Sequence, residues 1–295
     1  MISKKDAAKE PPQTAGNLYV VGTPIGNPED VTLRALRVLK EADLIAAEDT
    51  RRARKLLSRY DIHTPTTSYH EYNKRSKTPQ LIMKMKQGKK VAVVSDAGMP
   101  GISDPGHDLI ASALQEQIEV IAVPGPSSII TALLLSGLPT GKFLFAGFPP
   151  RKRGGRTRYI EKALAHEGTS IVFEAPGRLL SLLEEIARLA PTRRIAVARE
   201  LTKKFEQIVR GTAQEVADHF REQKARGECV IVMEGSTEPL ERSRGDTKPN
   251  ANQLVDRLMR EEGMSKKDAM RKAASKLGVS RREVYKMLLE RSPEK

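Results

Sequence analysis

The residues best suited to hold a ligand lie in small-residue loops that each follow a short apolar run. Residues 96–102 follow the apolar run Val91–Val94 and include two glycines and one proline. Glycine lets a ligand approach the backbone closely, and ligands of open α/β sheets bind beyond the carboxyl ends of the strands. Residues 22–26, 47–50 and 124–128 form similar loops. These loops predict a site for a small polar ligand held mainly by main-chain groups.

Part of the longest loop has a simpler interpretation. Asp104 and Pro105 fit a helix start, with Ser103 or Asp104 as the N-cap and Pro105 at the first helical position. A connection between a strand and a helix does not need the additional small residues 96–102. We therefore assign residues 96–102 to ligand binding and residues 103–106 to helix initiation.

The residue spacing excludes several common chemistries. Residues 22–26 lack the G-x-G-x-x-G spacing of a dinucleotide site, and no Gly-Lys-Ser/Thr follows a glycine loop. Residues 125–129 lack the glycine-flanked serine of a nucleophile elbow. The single cysteine, Cys229, excludes an internal disulfide and a cysteine-based zinc site. The five histidines lack metal-ligand spacing, so we expect no metal.

The elements that must position these loops alternate between strand and helix. Residues 17–138 predict an N-terminal α/β domain with a mostly parallel sheet and helices on both faces. Its predicted strands are Leu18–Val21, Leu44–Ala47, Val91–Val94 and Val120–Val123, and its predicted helices are 28–42, 51–60, 108–115 and 127–135. The 295-residue length also favours two domains.

A second α/β domain is predicted over residues 139–236, after a hinge at 138–142. Its predicted strands and extended segments are 143–145, 170–173, 195–198, 205–209 and 230–233, and its predicted helices are 158–166, 179–189 and 213–220. Residues 1–16 read as a disordered tail and residues 237–252 as a linker. Residues 253–295 form a basic region of three predicted helices, which fits a helix-turn-helix or a solvated helical hairpin equally well.

The net charge of +14 points to a polyanionic partner, with RNA as the first expectation. Five basic residues lie in one predicted glycine-flexed loop after the hinge: Arg151, Lys152, Arg153, Arg156 and Arg158. The candidate RNA-binding surface also includes Arg51, Arg52, Arg54, Arg178, Lys203 and Lys204. The alternative is a solvated basic loop without a partner. An aromatic content of 4% argues against a stacking platform for single strands.

The location predicted from the sequence is cytoplasmic. The chain has no run of 18 apolar residues that would suggest a membrane span. Its first residues lack the apolar core of a signal peptide.

Six motifs of this chain resemble those of one family. They are Leu-Tyr-Val-Val-Gly-Thr-Pro-Ile-Gly-Asn (18–27), Ala-Glu-Asp-Thr-Arg (47–51), Ser-Asp-Ala-Gly-Met-Pro-Gly-Ile-Ser-Asp-Pro-Gly (95–106), Val-Pro-Gly-Pro-Ser-Ser (123–128), Phe-Glu-Ala-Pro-Gly-Arg (173–178) and Ala-Arg-Glu-Leu-Thr-Lys (198–203). The family is the bacterial ribosomal RNA small subunit methyltransferase I family, a branch of the tetrapyrrole-methylase superfamily. The resemblance runs from about Leu18 to the C-terminus.

The resemblance implies S-adenosyl-L-methionine-dependent 2′-O-methylation of a cytidine in the decoding region of 16S rRNA, within the small ribosomal subunit. It also implies two α/β domains with the cofactor in the interdomain cleft, and a homodimer. Carried over by position, the cofactor contacts would be Pro24, Asp96, Ala97, Gly98, Met99, Pro100, Ile102, Ser127, Ser128, Phe173, Ala198, Arg199, Glu228 and Cys229. Many relatives have threonine where this chain has Met99, so a hydroxyl there is not required.

A ribose hydroxyl is a poor nucleophile, and its methylation benefits from a general base. The candidates are carboxylates at or just past predicted strand ends: Glu48, Asp49, Glu174 and Glu200. Glu48 and Asp49 could instead cap the helix that begins near Thr50, or pair with neighbouring arginines. Glu200 could pair with Arg199. The sequence does not choose among these roles.

Two other functions remain open from the sequence. A methylase of a small tetrapyrrole would share the cofactor site, and its substrate carries carboxylates that basic residues could bind. A non-catalytic RNA-binding or ribosome-assembly protein would share the basic surface. The basic loop and basic tail favour RNA over a compact macrocycle, and the intact small-residue loops favour an enzyme.

Overall fold

The computed structural model describes residues 16–223, 225, 227–236, 251–277 and 281–289. The chain divides into two compact units, Met1–Gly235 and Ser236–Lys295. The predicted disordered tail, apart from Gly16, lies outside the described residues, as do residues 237–250 of the predicted linker region.

The first half of the larger unit contains a parallel sheet with the strand order β3-β2-β4-β1-β5. The strands are β1 Leu18–Val21, β2 Leu44–Ala47, β3 Thr66–Ser68, β4 Val91–Val94 and β5 Val120–Val123. The helices are α1 Leu33–Glu41, α2 Thr50–Arg59, α3 Lys74–Lys86, α4 Gly106–Gln115 and α5 Ser128–Ser136. Side chains of α1 and α2 join one apolar core and those of α3 and α4 join another. This confirms the predicted parallel sheet with helices on both faces.

The central strand β4 is buried along its whole length, as its apolar β-branched sequence indicates. The predicted helix over 28–42 was wrong in its first turn. A short 3₁₀ turn, Pro28–Asp30, precedes extended Val31, and α1 starts only after Thr32. The Thr32 hydroxyl accepts a hydrogen bond from the Ala35 amide at 3.0 Å and so fixes the helix start.

Two elements of this half were not predicted. Strand β3 is the polar run Thr-Thr-Ser at the sheet edge, so it carries no apolar signal. Helix α3 contains Pro79, and its buried residues lie only in its second half. Helix α4 begins at Gly106, two residues before the predicted start, with Pro105 at the N-cap position.

The second half contains a mixed sheet with the strand order β6-β7-β10-β8-β9. The strands are β6 Phe143–Gly147, β7 Thr169–Glu174, β8 Arg194–Arg199, β9 Gln207–Thr212 and β10 Cys229–Met233. The helices are α6 Arg153–Leu164, α7 Pro176–Leu189 and α8 Ala213–Glu222. Strands β6 and β7 are parallel, whereas the β7–β10, β10–β8 and β8–β9 pairs are antiparallel.

Helix α5 connects the two halves by packing. Its buried residues Ile129, Ala132 and Leu133 join a core with Ile171 and Val230 of the second sheet. Helices α6, α7 and α8 cover a separate core of that sheet. The last helix of the first half therefore forms one layer of the second half.

The basic segment after the hinge is not a flexible loop. Helix α6 begins at Arg153, five residues before the predicted start, so Arg153, Arg156 and Arg158 are helical. Gly154 and Gly155 occupy its first turn, where the first amides of a helix have no intrahelical carbonyl partner. The composition of this segment had suggested a loop, but the packing of Ile160, Ala163 and Leu164 into the core extends the helix.

The C-terminal unit contains helices α9 Ala251–Glu261, α10 Lys266–Leu277 and α11 Arg281–Leu289, which matches the three predicted helices. A small core of Val255, Leu258, Ala269, Ala273 and Val284 holds them together. Among the described residues, no helix combines the length and apolar character needed to cross a membrane.

Candidate active site

A cleft of about 780 Å³ lies between the two halves of the larger unit. Its first wall consists of the loops that follow β1, β2 and β4, together with the start of α5. Its second wall consists of residues at the ends of β7, β8 and β10, together with Phe148. The carboxyl ends of three parallel strands therefore face the cleft, which is where open α/β sheets bind ligands.

Many of the sequence-predicted residues line this cleft. The cofactor candidates at its surface are Pro24, Asp96, Ala97, Ile102, Ser128, Phe173, Glu228 and Cys229. The base candidates at its surface are Glu48, Glu174 and Glu200, and the basic candidates are Arg52 and Lys203. The fold thus brings together residues that are far apart in sequence, and their ligand contacts stay predictions.

The remaining cofactor candidates do not line the cleft. Ala198 belongs to the core that packs on α5, and Met99 packs against the core under α3 and α4. Ser127 is the N-cap of α5 and accepts a hydrogen bond from the Ile130 amide at 3.5 Å. The others are Gly98, Pro100 and Arg199. Their contacts with the cofactor stay predictions.

Backbone contacts hold the first wall in place. Thr23 and Gly98 exchange two main-chain hydrogen bonds of 2.9 and 3.0 Å, and Gly98 has a positive φ of 81°. Gly22 lies against Gly125 so closely that a Cβ atom at Gly22 would be 2.7 Å from the Gly125 Cα atom. Such contacts require glycine and bring the loops after β1, β4 and β5 together.

Asp96 ties two of these loops together. Its Oδ1 atom accepts a hydrogen bond from the Asp49 amide at 3.0 Å, and its Oδ2 atom pairs with Arg52 at 3.0 Å. Both carboxylate oxygens therefore have protein partners. Asp96 contributes to the cleft mainly by fixing the loop after β4 against the start of α2.

Glu48 is the base candidate whose surroundings in the cleft raise its pKa. It is half-buried in the cleft, and burial together with the negative charge of Asp96 raises the pKa of Glu48 above its ordinary value. The Asp96 amide lies 3.5 Å from Glu48 Oε2 and acts in the opposite direction. A carboxylate with a raised pKa is a stronger proton acceptor near neutral pH.

Asp49 has the capping role that the sequence left open. Its carboxylate accepts hydrogen bonds from the Arg51 amide and side chain, and these lower the pKa of Asp49 far below its ordinary value. Asp49 does not line the cleft. A strongly acidic, bonded carboxylate is poorly suited to accept a proton.

Glu200 does not pair with Arg199, contrary to the alternative from the sequence. Its Oε1 atom accepts a hydrogen bond from Lys203 at 2.9 Å, whereas Arg199 donates to Gln207 at 2.6 Å. Glu200 also has a positive φ of 51°, which turns the chain sharply after β8. Arg199 and Glu200 are therefore each bonded to a different residue.

Glu174 is only 1% exposed although its side chain is polar. Its Oε1 atom accepts a hydrogen bond from the Ala175 amide at 2.7 Å and pairs with Arg178. Among the described residues, no hydrogen-bond partner is found for its buried Oε2 atom. Arg178, a predicted RNA contact, is therefore engaged by a buried carboxylate.

Phe148 is a cleft residue that the sequence analysis missed. It is half-exposed, and its ring packs edge-on against Phe173 with the ring centroids 5.4 Å apart. Lys55 and Asp104 also line the cleft without having been predicted to do so. The Asp104 carboxylate accepts hydrogen bonds from the Gly101 and Gly106 amides, although burial raises its pKa. The sequence analysis used the low aromatic content only as an argument against a stacking platform, so it did not single out Phe148.

The basic residues near α6 are only partly available to a ligand. Arg151, Lys152 and Arg153 are exposed. Arg156 is not, because it pairs with Glu185 at 2.6 Å and its side chain is 17% exposed. Lys204 lies over the Phe205 ring at 5.7 Å, and Arg51 pairs with Asp49. The Arg156 side chain holds α6 against α7 through this ion pair, so it is less available to RNA than its exposed neighbours, and its RNA contact stays a prediction.

The charge of the cleft lining is mainly negative. Its carboxylates are Glu48, Asp96, Asp104, Glu174, Glu200 and Glu228, and its cations are Arg52, Lys55 and Lys203. A volume of about 780 Å³ suits a small-molecule ligand. The lining therefore fits a compact ligand that carries positive charge and offers hydrogen-bond donors.

Comparison with known proteins gives a consistent result. Residues 17–217 match the family described as Tetrapyrrole (Corrin/Porphyrin) Methylases. A protein of Halalkalibacterium halodurans named Ribosomal RNA small subunit methyltransferase I is 43% identical over 271 residues, which cover 92% of this chain and 93% of that protein. The protein of the same name from Thermotoga maritima is 48% identical, covering 75% of this chain and 99% of its own length.

A solved structure shares the fold. It is uroporphyrin-III C-methyltransferase from Thermus thermophilus complexed with S-adenyl homocysteine, with a TM-score of 0.52 and 23% identity. The match covers 74% of this chain and 97% of the other.

Proposed function

The chain belongs to the ribosomal RNA small subunit methyltransferase I family of the tetrapyrrole methylases, and on that premise we propose that it methylates small-subunit rRNA. The methyl donor is S-adenosyl-L-methionine. The acceptor is the 2′-hydroxyl of a cytidine in the decoding region of 16S rRNA, within the cytoplasmic small ribosomal subunit. The observation that carries this proposal is the cleft itself, where three strand-end loops face the second sheet and the lining has more carboxylates than cations.

The cleft residues fit this cofactor. S-adenosylmethionine is positively charged at sulfur and carries an ammonium group, and the lining has more carboxylates than cations. The buried, unpartnered Oε2 atom of Glu174 also offers an acceptor for a donor group. Pro24, Ala97 and Ile102 of the first wall, with Phe173, Glu228 and Cys229 of the second, would hold it.

When bound, the cofactor supplies an electrophilic methyl group on a positively charged sulfur. Glu48 would accept the proton of the ribose hydroxyl while that oxygen takes the methyl carbon, whose bond to sulfur breaks so that the sulfur leaves as a neutral thioether. The rigid first wall orients the reactants, and positioning of this kind can supply much of the acceleration. Glu48 suits the proton transfer better than Asp49, since Asp49 is bonded to Arg51 outside the cleft.

The proposal includes a homodimer. Two observations favour self-association: Ile130 and Leu134 are exposed apolar residues one turn apart on α5, and Phe143 and Leu144 are exposed on the edge strand β6. Exposed apolar groups of this kind frequently mark protein interfaces. Sedimentation of the purified chain as a monomer at micromolar concentration would contradict this part of the proposal.

The decisive experiment supplies tritiated S-adenosylmethionine to small subunits purified from a strain that lacks this protein. We expect label in 16S rRNA at a cytidine, in a linkage that alkali does not cleave because the 2′-hydroxyl is blocked. Label in the base, label only in protein-free RNA, label only in a small tetrapyrrole, or no transfer would each contradict the proposal.

A further inference from the structure

Helix α2 carries an unusual concentration of positive charge. Its ten residues include Arg51, Arg52, Arg54, Lys55 and Arg59 and contain no acidic residue. At 100° per residue these five side chains fall on one half of the helix, opposite buried Leu57. All five are exposed, and the Arg51 side chain is 88% exposed.

The spacing within α2 opposes helix stability. Arg51, Lys55 and Arg59 lie at i, i+4 and i+8, where like charges destabilise a helix by about 0.2–0.5 kcal/mol per pair. Among the described residues, Arg54, Lys55 and Arg59 form no ion pair with a carboxylate. Arg54 instead donates to the Thr66 hydroxyl at 3.3 Å. Arg51 and Arg52 pair with Asp49 and Asp96, so the unneutralised part of this face consists of Arg54, Lys55 and Arg59.

The charged face leads into the cleft. Helix α2 begins directly after the carboxyl end of β2, and both Arg52 and Lys55 line the cleft. The face thus runs from the cleft edge along the outside of the first half. This continuity with the cleft distinguishes α2 from the basic segment at the start of α6. There, Arg156 is paired with Glu185, and Arg151, Lys152 and Arg153 do not line the cleft.

We propose that α2 is the phosphate-binding track that guides the substrate RNA strand into the cleft, with Arg54, Lys55 and Arg59 each contacting the backbone. The proposal rests on the function proposed above and adds the surface that binds the RNA. Backbone phosphates are the matching partner because they present regularly spaced negative charges and need no base reading. Contact with them would also relieve the repulsion within the helix.

The test replaces Arg54, Lys55 and Arg59 together with Gln, which is a good helix former and removes three charges. A matched control replaces Arg34, Arg37 and Lys40 with Gln as well. These are three exposed cations of neighbouring α1 that do not line the cleft. Binding to purified small subunits is measured over a series of KCl concentrations. We expect the α2 variant to flatten the slope of log K against log salt by about 2–3, and the control to leave it nearly unchanged.

Three further measurements separate this proposal from its alternatives. The α2 variant should raise KM for small subunits more than it lowers kcat, and its melting temperature should not fall, because the substitutions remove like-charge repulsion within the helix. Arg54→Gln with Arg59→Gln, which keeps the cleft-lining Lys55, should leave the cofactor affinity unchanged by calorimetry. A charge-conserving variant, Arg54→Lys with Arg59→Lys, should keep the wild-type slope. Methyl transfer by the wild-type chain tests the proposed function separately. An unchanged slope in the α2 variant, or an equal change in the α1 control, would overturn the track while leaving that function intact.

Discussion

The loops of the first wall of the cleft are held together by backbone contacts, whereas the second wall is held by the packing and pairing of its side chains. The first is shaped by glycine contacts and by the Thr23–Gly98 hydrogen bonds between loops. The second offers Phe148, Phe173 and the buried Glu174, which project from a mixed sheet. The difference indicates that the first wall depends on the absence of side chains at its glycine contacts, and the second on how its side chains are packed and paired.

Glu48 and Glu174 give the largest expected effect, because they are the carboxylates on opposite walls to which the proposal gives different roles, proton transfer and cofactor binding. Glu48→Gln should lower kcat by about 10²–10⁴-fold, since it removes the proton acceptor. Wild-type kcat should rise with pH as Glu48 ionises above its ordinary pKa, and the variant should lose that dependence. Single-turnover methyl transfer across pH measures both.

The stability of Glu48→Gln provides the control. Because the folded-state pKa of Glu48 is raised, its contribution to stability is greatest below the unfolded pKa and is lost as pH rises through the folded value. The variant should therefore not lower the melting temperature at neutral pH. Glu174→Gln should weaken cofactor binding more than it changes kcat. A larger kcat loss for Glu174→Gln than for Glu48→Gln would assign the base to the second wall.

Gly22→Val tests the dependence of the first wall on close backbone contact. A Cβ atom at Gly22 would lie 2.7 Å from both the Gly125 Cα atom and the Met99 sulfur atom, so the loops must separate. We expect the free energy of unfolding to fall by about 1–3 kcal/mol and cofactor affinity to fall with it. Gly141→Val is the matched control, because nothing lies within 4 Å of a Cβ atom there. Equal stabilities of the two variants would show that the first wall tolerates side chains.

Helix caps in the two halves should give the smallest effects. Thr32→Ala removes the cap of α1, and Thr212→Ala removes the capping box that Thr212 and Glu215 form at α8. Each should lower the free energy of unfolding by about 1 kcal/mol, with the larger loss for Thr212. Urea denaturation measures the loss, and calorimetry should find the cofactor affinity unchanged. A change in the cofactor affinity would mean that the geometry of the cleft depends on the caps of α1 and α8.

The sequence predicted every strand and helix of the second half, although it placed the start of α6 too late, and it missed β3 and α3 of the first half. Apolar runs such as Val91–Val94 indicate buried parallel strands by themselves, and the loops that follow them come together because parallel strands end at the same sheet edge. Strand β3 was missed because its Thr-Thr-Ser run has no apolar alternation. The start of α6 was missed because two glycines and several cations resemble a loop, while its stability comes from packing against the second sheet.

The sequence by itself determined the parallel α/β core, the small-residue loops and the excess of positive charge, since each depends on local residue types and their spacing. Only the tertiary structure decided which charges remain available. Asp96 and Arg156 are bonded to residues far away in sequence, whereas Glu48 faces the cleft and Arg54, Lys55 and Arg59 face solvent. The physical reason is that the burial and pairing of an ionisable group depend on residues brought close by folding, and the local sequence does not specify them.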